Sequence, residues 1–429
     1  MTALVVGAAR SGVALANHLV RSGERVRVVD TKSKADLEPT IALLPAGVDV
    51  SVGGYTLAAL DGVDVVYASP GVPWDSELLV RARGRGMTVS SEIDLFLRLC
   101  PGTVVGITGT NGKTTTTALT GTVLAAGLPV VVGGNIGDTV LDRLDEVTSQ
   151  HWVVLELSSF QLESVERPRL HVGVILNVTP DHLDRHRTFD RYIDLKARAI
   201  EFAGADDFAV LNGRDEVCRR VAGRTQARVV WFDRHRPIPP MPMPGWHNVE
   251  NALAAAAVGR IAGLPDQTIE AAIRSFKGVE HRLELVGEWM GVRWYNDSKA
   301  TNPDAGRVAL AAFPDTPLVL IAGGHGSGFE LGAWAADVKA HAEAVVLMGA
   351  SAGLLAEELH GHPTVKRAAN LEEAIELAAG LARPGGVVLL SPAYKSFDMF
   401  KDYEDRGRQF KALVHQRFGS PSARRARTP

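Results

Sequence analysis

A glycine-rich turn between an apolar run and a helix-like stretch is the sharpest chemical signal in the sequence. Residues 104–107 read Val-Val-Gly-Ile, and residues 108–114 read Thr-Gly-Thr-Asn-Gly-Lys-Thr. The backbone N–H groups of such a turn, at the N-terminus of a helix, favour a phosphate anion. Lys113 would then reach the β- and γ-phosphates, and the Thr114 hydroxyl would ligate Mg²⁺. The strict Walker pattern fails by one position, because Ile107 stands where its first glycine should be.

A phosphate loop that holds a metal ion needs a second acidic group, and Glu156 is the candidate. It ends the apolar run of residues 153–155, where a charged side chain is rarely buried unless it is paired or ligates a cation. Beside a phosphate loop, this position predicts a Mg²⁺ ligand. His182 follows another apolar run, residues 172–176, in a loop dense with Asn, Thr and Asp, and Lys196 comes next.

Short β-branched runs alternate with stretches rich in Ala and Leu along the whole chain. Continuous apolar runs of this kind suit parallel strands that are buried on both faces. Their alternation with helical stretches predicts an α/β fold, with ligands at the carboxyl ends of the strands. Examples of these runs lie at residues 4–6, 26–29, 63–66, 104–107, 153–155, 172–176, 318–321, 344–347 and 387–390.

Composition and charge narrow the class of protein. The 429 residues include 46 Lys and Arg against 49 Asp and Glu, and the resulting net charge of −3 argues against nucleic acid as a partner. Two cysteines, Cys100 and Cys218, are too few for a disulfide framework and predict inert thiols in a reducing compartment. No targeting segment and no apolar run of 18 residues is visible, so we expect a cytoplasmic protein without membrane insertion.

The length predicts two to three domains, and two boundaries suggest themselves. A helix-like stretch meets Pro101-Gly102 near residues 92–103, and a second break follows residues 271–277. We therefore expect domains at residues 1–92, 93–277 and 278–429, with residues 419–429 frayed. The proline-rich residues 236–245 predict an extended segment that leads into a helix.

The phosphate loop, Glu156 and the 177–186 loop together resemble the Mur ligase family, the ATP-dependent amide-forming enzymes of peptidoglycan precursor synthesis. That family's loop reads Thr-Gly-Thr-Asn-Gly-Lys-Thr as it does here, which accounts for the Walker mismatch. Further similarities are at residues 245–256, 280–284 and 296–303, in family order. The resemblance implies three domains: N-terminal Rossmann-like, central P-loop ATPase-like with a mostly parallel sheet, and C-terminal Rossmann-like.

The resemblance also implies roles for individual residues in the nucleotide site. ATP would be bound by the loop Gly109, Thr110, Asn111, Gly112, Lys113, Thr114, Thr115 and Thr116, with Asn248 and Asn251 at the adenine and Arg282 and Asp297 from the third domain. Mg²⁺ would be served by Thr114, Glu156, His182 and Lys196, the last as a carbamate. The catalytic set is Lys113, Glu156, His182 and Lys196.

One branch of the family, which adds D-glutamate to UDP-N-acetylmuramoyl-L-alanine, matches most closely, through residues 68–73, 296–303 and 390–398. The UDP-substrate would be held by Ser11, Asp30, Thr31, Lys32, Ser69, Gly71 and Asn135. The amino acid would be held by Lys299, Thr301, Ser396, Phe397 and Tyr403. A monomer that takes small-molecule substrates is expected.

The chain departs from that branch at the expected amino-acid site. Relatives usually carry Lys or Arg near Ser327, and Cys-Ala where Tyr394-Lys395 stand here. We hypothesise that Lys395, or His325 when protonated, partly replaces the missing charge; alternatively, Lys395 points to solvent and Lys299 alone suffices. The departures also weaken the choice of D- over L-glutamate, although residues 296–302 still favour the D form.

Three other functions compete with this interpretation. A dinucleotide oxidoreductase would use Gly7, Gly12 and Asp30, but the middle glycine of its fingerprint is missing and residues 109–114 stay unexplained. A P-loop switch or binding module leaves residues 296–302 unexplained. A sister ligase would add L-alanine, a diamino acid, a dipeptide, or glutamate to folate; the short chain and the lack of an Asp-Asn-Pro motif argue against it.

Overall fold

The computed structural model describes residues 1–136, 139–232, 243–326 and 328–419. The chain forms two compact units, one of Met1–Pro239 with Glu250–Ser275 and one of Pro240–Val249 with Phe276–Pro429. Across the described ranges, no helix is both long enough and apolar enough to cross a membrane.

The first unit begins with a five-stranded parallel sheet in the order β3-β2-β1-β4-β5. The strands are β1 (Thr2–Val6), β2 (Arg25–Val29), β3 (Asp49–Ser51), β4 (Val65–Ala68) and β5 (Thr88–Ser90). The helices are α1 (Arg10–Arg21), α2 (Lys34–Ile41) and α3 (Glu77–Gly84), with a 3₁₀ helix at Leu57–Leu60. All five residues of β1 are buried, as a central parallel strand requires.

The same unit contains a six-stranded parallel sheet in the order β11-β10-β9-β6-β8-β7. Its strands are β6 (Thr103–Thr108), β7 (Val130–Gly134), β8 (Trp152–Glu156), β9 (Val172–Ile175), β10 (Phe208–Asn212) and β11 (Arg228–Phe232). The helices are α4 (Glu92–Leu99), α5 (Lys113–Ala125), α6 (Ser159–Ser164), α7 (Leu183–His186), α8 (Phe189–Glu201), α9 (Glu216–Val221), α10 (Trp246–Ile261) and α11 (Asp266–Ser275), with 3₁₀ helices at Val140–Glu146 and Ala222–Arg224. Residues 246–249 of α10 belong to the second unit.

The second unit contains a six-stranded sheet in the order β12-β13-β17-β14-β15-β16. Its strands are β12 (Glu284–Trp289), β13 (Val292–Asn296), β14 (Leu318–Ala322), β15 (Ala344–Leu347), β16 (Val365–Arg367) and β17 (Val387–Leu390). The helices are α12 (Pro303–Leu310), α13 (Gly332–His341), α14 (Ala352–Glu358), α15 (Leu371–Leu381) and α16 (Tyr403–Phe418). Only the β12–β13 pair of strands is antiparallel within this part of the described chain.

The α/β class and the three sheets confirm the predicted fold, and each of the nine apolar runs coincides with a strand to within two residues at either end. The boundary predicted near residue 92 stays a prediction, because the first two sheets fall in one compact unit. Most of the proline-rich segment and residues 420–429 of the tail lie outside the described residues.

Glu92 is a buried carboxyl at the first position of α4. Its side chain is 3% exposed, and its Oε1 accepts a hydrogen bond from the Leu141 N–H at 3.1 Å. Burial is the main reason that the pKa of Glu92 rises from 4.5 to about 7; the Leu141 hydrogen bond opposes this rise and the nearby Asp142 carboxylate adds to it. The folded state therefore binds this proton more tightly than the unfolded chain, so the stability it supports is lost as pH rises through about 7.

We expect Glu92→Gln to raise the free energy of unfolding by about 1–3 kcal/mol at pH 8, because it removes the cost of burying the charge. The gain should shrink steadily as pH falls towards 5. Denaturant unfolding across this pH range measures it. Glu77→Gln is the matched control, because Glu77 holds the same first position in α3 but is exposed. A gain that does not depend on pH would contradict the prediction.

Candidate active site

The phosphate loop connects β6 to α5. At one of its residues, the backbone has a conformation that only glycine adopts easily. Gly112 caps α5 with a φ of +83°, in the left-handed region. A Cβ at this position would also overlap the Oδ1 atom of Asn251. The same Oδ1 accepts a hydrogen bond from the Thr116 hydroxyl at 3.1 Å. Asn251, predicted at the adenine, therefore packs directly against the loop.

Two residues that follow β9 hold the phosphate loop in place. The Asn111 N–H donates to Asn177 Oδ1 at 2.8 Å, and Asn177 Nδ2 donates back to the Asn111 carbonyl at 3.1 Å. The Thr110 hydroxyl donates to the Thr179 carbonyl at 3.1 Å and accepts from the Thr179 N–H at 3.0 Å. No role was predicted for Asn177, although its position directly after a buried strand was a usable signal.

Two lysines converge on one carbonyl of the loop. Lys113 Nζ donates to the Gly109 carbonyl at 2.9 Å and to the Thr110 carbonyl at 2.8 Å. Lys196 Nζ, from α8, donates to the same Gly109 oxygen at 2.8 Å and lies 4.5 Å from the centre of the Tyr192 ring. Tyr192 precedes Lys196 by four residues, so the two share a face of the helix, a spacing that could have been read from the sequence.

Lys196 is buried, with 1% of its surface exposed. Burial lowers its pKa well below the usual value, and the Lys113 ammonium lowers it further, while Asp181 and Glu156 raise it. The structure thus brings Lys113, Glu156 and Lys196 within electrostatic range of one another. A neutral amine at Lys196 is the form that this environment favours.

Glu156 ends β8 with its carboxylate buried at 2% exposure. Its Oε1 accepts a hydrogen bond from Asn135 Nδ2 at 2.9 Å, whereas its Oε2 has no hydrogen-bond partner among the described residues. A buried carboxylate oxygen without a partner is costly unless a cation or donor satisfies it. This oxygen fits a Mg²⁺ ligand, and Thr114, the other predicted ligand, lies in the first turn of α5.

His182 is placed differently from Glu156 and Lys196. Its backbone is left-handed, with a φ of +51°, and its imidazole is exposed. Within the described chain the ring lies 3.6 Å from the Asp181 carboxylate and 5.0 Å from the Phe160 ring, and it makes no hydrogen bond to Glu156 or Lys196. The metal role of His182 therefore stays a prediction.

Most of the residues predicted to hold the UDP-substrate gather where β1, β2 and β4 of the first sheet end. Asp30 accepts hydrogen bonds from the Ala8 N–H at 2.7 Å and from the Lys32 N–H at 2.9 Å. Ser69 Oγ donates to the Gly7 carbonyl at 3.0 Å. Of the others, Thr31, Lys32 and Gly71 are exposed, Ser11 is half-buried in the first turn of α1, and Asn135 is exposed directly after β7 of the second sheet.

A link between the first sheet and the 177–186 loop was not foreseen from the sequence. Arg185 Nη2 donates to the Val72 carbonyl at 3.2 Å and to Glu163 Oε2 at 3.0 Å, and both of these charged side chains are largely buried. Val72 lies next to Gly71, and Arg185 lies three residues after His182. The loop that ends β4 is thus hydrogen-bonded to the loop that carries His182.

In the second unit, the predicted nucleotide residues Asp297 and Arg282 lie near the end of β13. Both Asp297 carboxylate oxygens are engaged by the chain itself, because Oδ2 accepts from Ser391 Oγ at 2.8 Å and Oδ1 from the Leu283 N–H at 3.2 Å. Burial raises the pKa of Asp297 to about 7. Arg282 Nε is buried without a partner in the described residues, and Asn248 Nδ2 donates to the Pro244 carbonyl at 2.6 Å.

The predicted amino-acid residues of the second unit lie on two loops and at the start of α16, and a buried arginine connects these segments. Lys299 Nζ lies 5.6 Å from the Tyr403 ring centre, and Ser298 Oγ donates to the Tyr403 carbonyl at 2.8 Å. Arg406, for which no role was predicted, donates to Ser298 and to the Tyr394 carbonyl. Of the remaining residues, Ser396 is buried, Thr301 is half-buried and Phe397 is exposed.

Lys395 and His325, the two residues proposed to replace the cation that is missing near Ser327, are neighbours in the structure. His325 and Lys395 form an antiparallel bridge, in which the His325 N–H donates to the Lys395 carbonyl at 2.7 Å. Residues directly opposite in an antiparallel pair project to the same face, and both side chains are exposed. Ser327 itself lies outside the described residues.

Comparison with known proteins covers nearly the whole chain. Three family models match: "Mur ligase MurD-like, N-terminal domain" at residues 1–91, "Mur ligase middle domain" at 107–238 and "Mur ligase, glutamate ligase domain" at 281–394. The structure of the MurF ligase from Thermotoga maritima, in complex with ADP, is 19% identical, with a TM-score of 0.61 over 92% of this chain and 96% of that one. That structure shares the fold.

Two curated relatives are more similar to this chain in sequence than the MurF ligase is. The UDP-N-acetylmuramoylalanine–D-glutamate ligase of Solibacter usitatus is 44% identical over 435 residues, which cover 96% of this chain and 97% of the relative. The ligase of the same name from Acidobacterium capsulatum is 42% identical over 440 residues, covering 96% and 95%. With all three domain models matched in order, this chain belongs to the Mur ligase family.

Proposed function

We propose that this chain is an ATP-dependent ligase that adds D-glutamate to UDP-N-acetylmuramoyl-L-alanine in peptidoglycan precursor synthesis. The observation that carries the choice of substrates is the full-length similarity to two ligases whose name states this reaction. The gathering of Lys113, Glu156 and Lys196 at the phosphate loop supports the ATP chemistry.

The chemistry explains why such a site is needed. A carboxylate and an amine do not condense in water, so transfer of the γ-phosphoryl group of ATP first converts the carboxylate of the UDP-substrate into an acyl phosphate, with release of ADP. The amine of glutamate then attacks the acyl carbon, and phosphate leaves as the amide forms. The loop N–H groups and Lys113 would stabilise negative charge on the transferring phosphoryl group.

Mg²⁺ would be held by Thr114 and by the Glu156 carboxylate, whose Oε2 atom lacks a partner among the described residues. When bound, the ion supplies positive charge that neutralises the phosphate oxygens. Asn135 orients the Glu156 carboxylate by its hydrogen bond to Oε1. The buried position of Glu156 excludes water from the oxygen that would meet the ion.

The test is phosphate release from ATP with UDP-N-acetylmuramoyl-L-alanine present while the amino acid is varied. We expect release to require both the UDP-substrate and D-glutamate. L-Glutamate, L-alanine and a diamino acid should give little release. Turnover that prefers L-glutamate, or that uses UDP-N-acetylmuramate with L-alanine, would contradict the proposed acceptor and favour a sister ligase.

Lys395→Ala tests whether a cation on the His325–Lys395 bridge binds the glutamate carboxylate. The loss of one charged hydrogen bond costs about 1.5–3 kcal/mol, so we expect the KM for D-glutamate to rise tenfold or more. The KM for the UDP-substrate should not change. Lys401→Ala is the matched control, an exposed lysine six residues further along the same segment. An unchanged KM for D-glutamate would remove Lys395 from the site.

A further inference from the structure

A polar cavity of about 560 Å³ lies at the end of the second sheet where strands β6 and β9 begin. The phosphate loop lies at the opposite end of these strands. The cavity lining includes Thr103 and Val104, which begin β6, and His171, which directly precedes β9. The phosphate loop follows the other end of β6. Because β6 spans six residues at about 3.3 Å each, the cavity lies about 20 Å from the loop. It is therefore separate from the candidate active site.

One wall of this cavity is a short segment with alternating burial. Arg167 and Arg169 are exposed and His171 is half-buried, whereas Pro168 and Leu170 between them are buried. A residue before proline is restricted to extended conformations, and alternate side chains of an extended chain project to the same side. The three basic side chains consequently face the cavity together, and all three line it.

The acidic groups in the lining already have partners. Asp94 Oδ2 pairs with Arg98 Nη2 at 3.2 Å, and Asp207 Oδ1 bonds to His171 Nδ1 at 3.0 Å. The Asp94 carboxylate is thus paired with a cation of the cavity wall, and the Asp207 carboxylate is hydrogen-bonded to the His171 ring. Among the described residues, neither carboxylate forms an ion pair with Arg167 or Arg169.

Arg167 and Arg169 make no hydrogen bond or ion pair with any residue in the described part of the chain. Two guanidinium groups that line the same cavity both attract an anion that enters it. The planar guanidinium donates two parallel hydrogen bonds to phosphate, which makes it suited to a diphosphate. The cavity volume is in the range of small-molecule sites.

We propose that this cavity is a second binding site, which takes the phosphate or diphosphate group of a small phosphorylated ligand through Arg167 and Arg169. The phosphate loop is not part of this second site. The proposed site lies between the start of β6 and the end of α4, because its lining also includes Arg98 and Cys100.

His171 provides a local signal for the test, because its ring lies 6.0 Å from the Trp152 ring and 5.6 Å from the Phe208 ring. The protein is labelled with ¹³C at the histidine Cε1 positions, and the His171 resonance is identified by its loss in His171→Gln. Inorganic pyrophosphate is titrated at constant ionic strength. We expect a saturable shift of the His171 resonance in the wild type.

Arg167→Ala combined with Arg169→Ala should raise the apparent dissociation constant at least tenfold. The matched control is Arg219→Ala with Arg220→Ala, which removes the same charge from exposed positions on α9 and should leave the titration unchanged. Lys113→Ala should also leave it unchanged, since the phosphate loop is distant.

Three outcomes of the pyrophosphate titration would overturn the proposal. They are the absence of a saturable shift in the wild type, an unaltered titration in the Arg167/Arg169 double variant, and loss of the shift in Lys113→Ala. Citrate as a probe separates the phosphate group from anions in general. Binding of citrate as tight as that of pyrophosphate would contradict a phosphate site. None of these readouts depends on the ligase reaction.

Discussion

Lys113→Ala is expected to lower ATP-dependent phosphate release at least about a hundredfold, because it removes a fixed positive charge where the transferring phosphoryl group would lie. Its ammonium lies over the loop, bonded to the carbonyls of Gly109 and Thr110. Most of the predicted UDP-substrate residues gather instead at the first sheet. The affinity for UDP-N-acetylmuramoyl-L-alanine should therefore survive in the variant.

The loss of turnover is measured by phosphate release, and the affinity for the UDP-substrate is measured by calorimetric titration. Lys339→Ala, an exposed lysine on α13, is the control for loss of one charge. A thermal melt shows whether each variant is folded. If a folded Lys113→Ala lost turnover and UDP-substrate affinity to the same degree, the assignment of this loop to ATP would be wrong.

Apolar runs in the sequence predict the interior strands of the sheets and miss their edges. The nine predicted runs are all interior strands, such as β1, β6 and β17, which are buried on both faces. The edge strands β3, β5, β7, β11, β12 and β16 have no comparable apolar run in the prediction. β16, with the sequence Val-Lys-Arg, shows one reason: an edge strand is partly exposed, so polar residues are tolerated and the burial signal is lost. β7 and β11 do contain apolar runs, at residues 130–132 and 229–232, which were not among the predicted examples. Interior strands β10 and β13 were also missed; in β13, Arg293 and Asn296 interrupt the run.

A site residue could be predicted from the sequence only where its neighbours in the chain determine its position. Glu156 was found because a carboxylate ends an apolar strand, and the structure buries it there. The burial of Lys196 was not predictable, because it depends on the packing of α8 against β6 and β9 and not on the composition of the helix. Arg406 was missed for the same reason, since its partners lie on loops about 10 and 110 residues away in the chain.

Lys196→Ala is expected to abolish turnover, and millimolar acetate should restore part of it. A lysine ammonium would be a cation beside Lys113 and beside a metal ion, an unfavourable arrangement. Burial and Lys113 lower the pKa of Lys196 well below its usual value, so the neutral amine is available. This amine can add to CO₂ with release of one proton, which gives a carbamate anion able to ligate Mg²⁺.

The sign of the pH effect follows from the lowered pKa. Only the neutral amine reacts with CO₂, so carbamate should form as pH rises through the lowered pKa, well before an exposed lysine such as Lys339 is deprotonated. Incubation with ¹³C-bicarbonate should therefore give a carbamate carbonyl resonance in the wild type and in Lys339→Ala, and none in Lys196→Ala. If that resonance is absent, and neither acetate nor bicarbonate affects the activity of the wild type or of any Lys196 variant, the anionic role of Lys196 is wrong and its amine acts only as a donor to the Gly109 carbonyl.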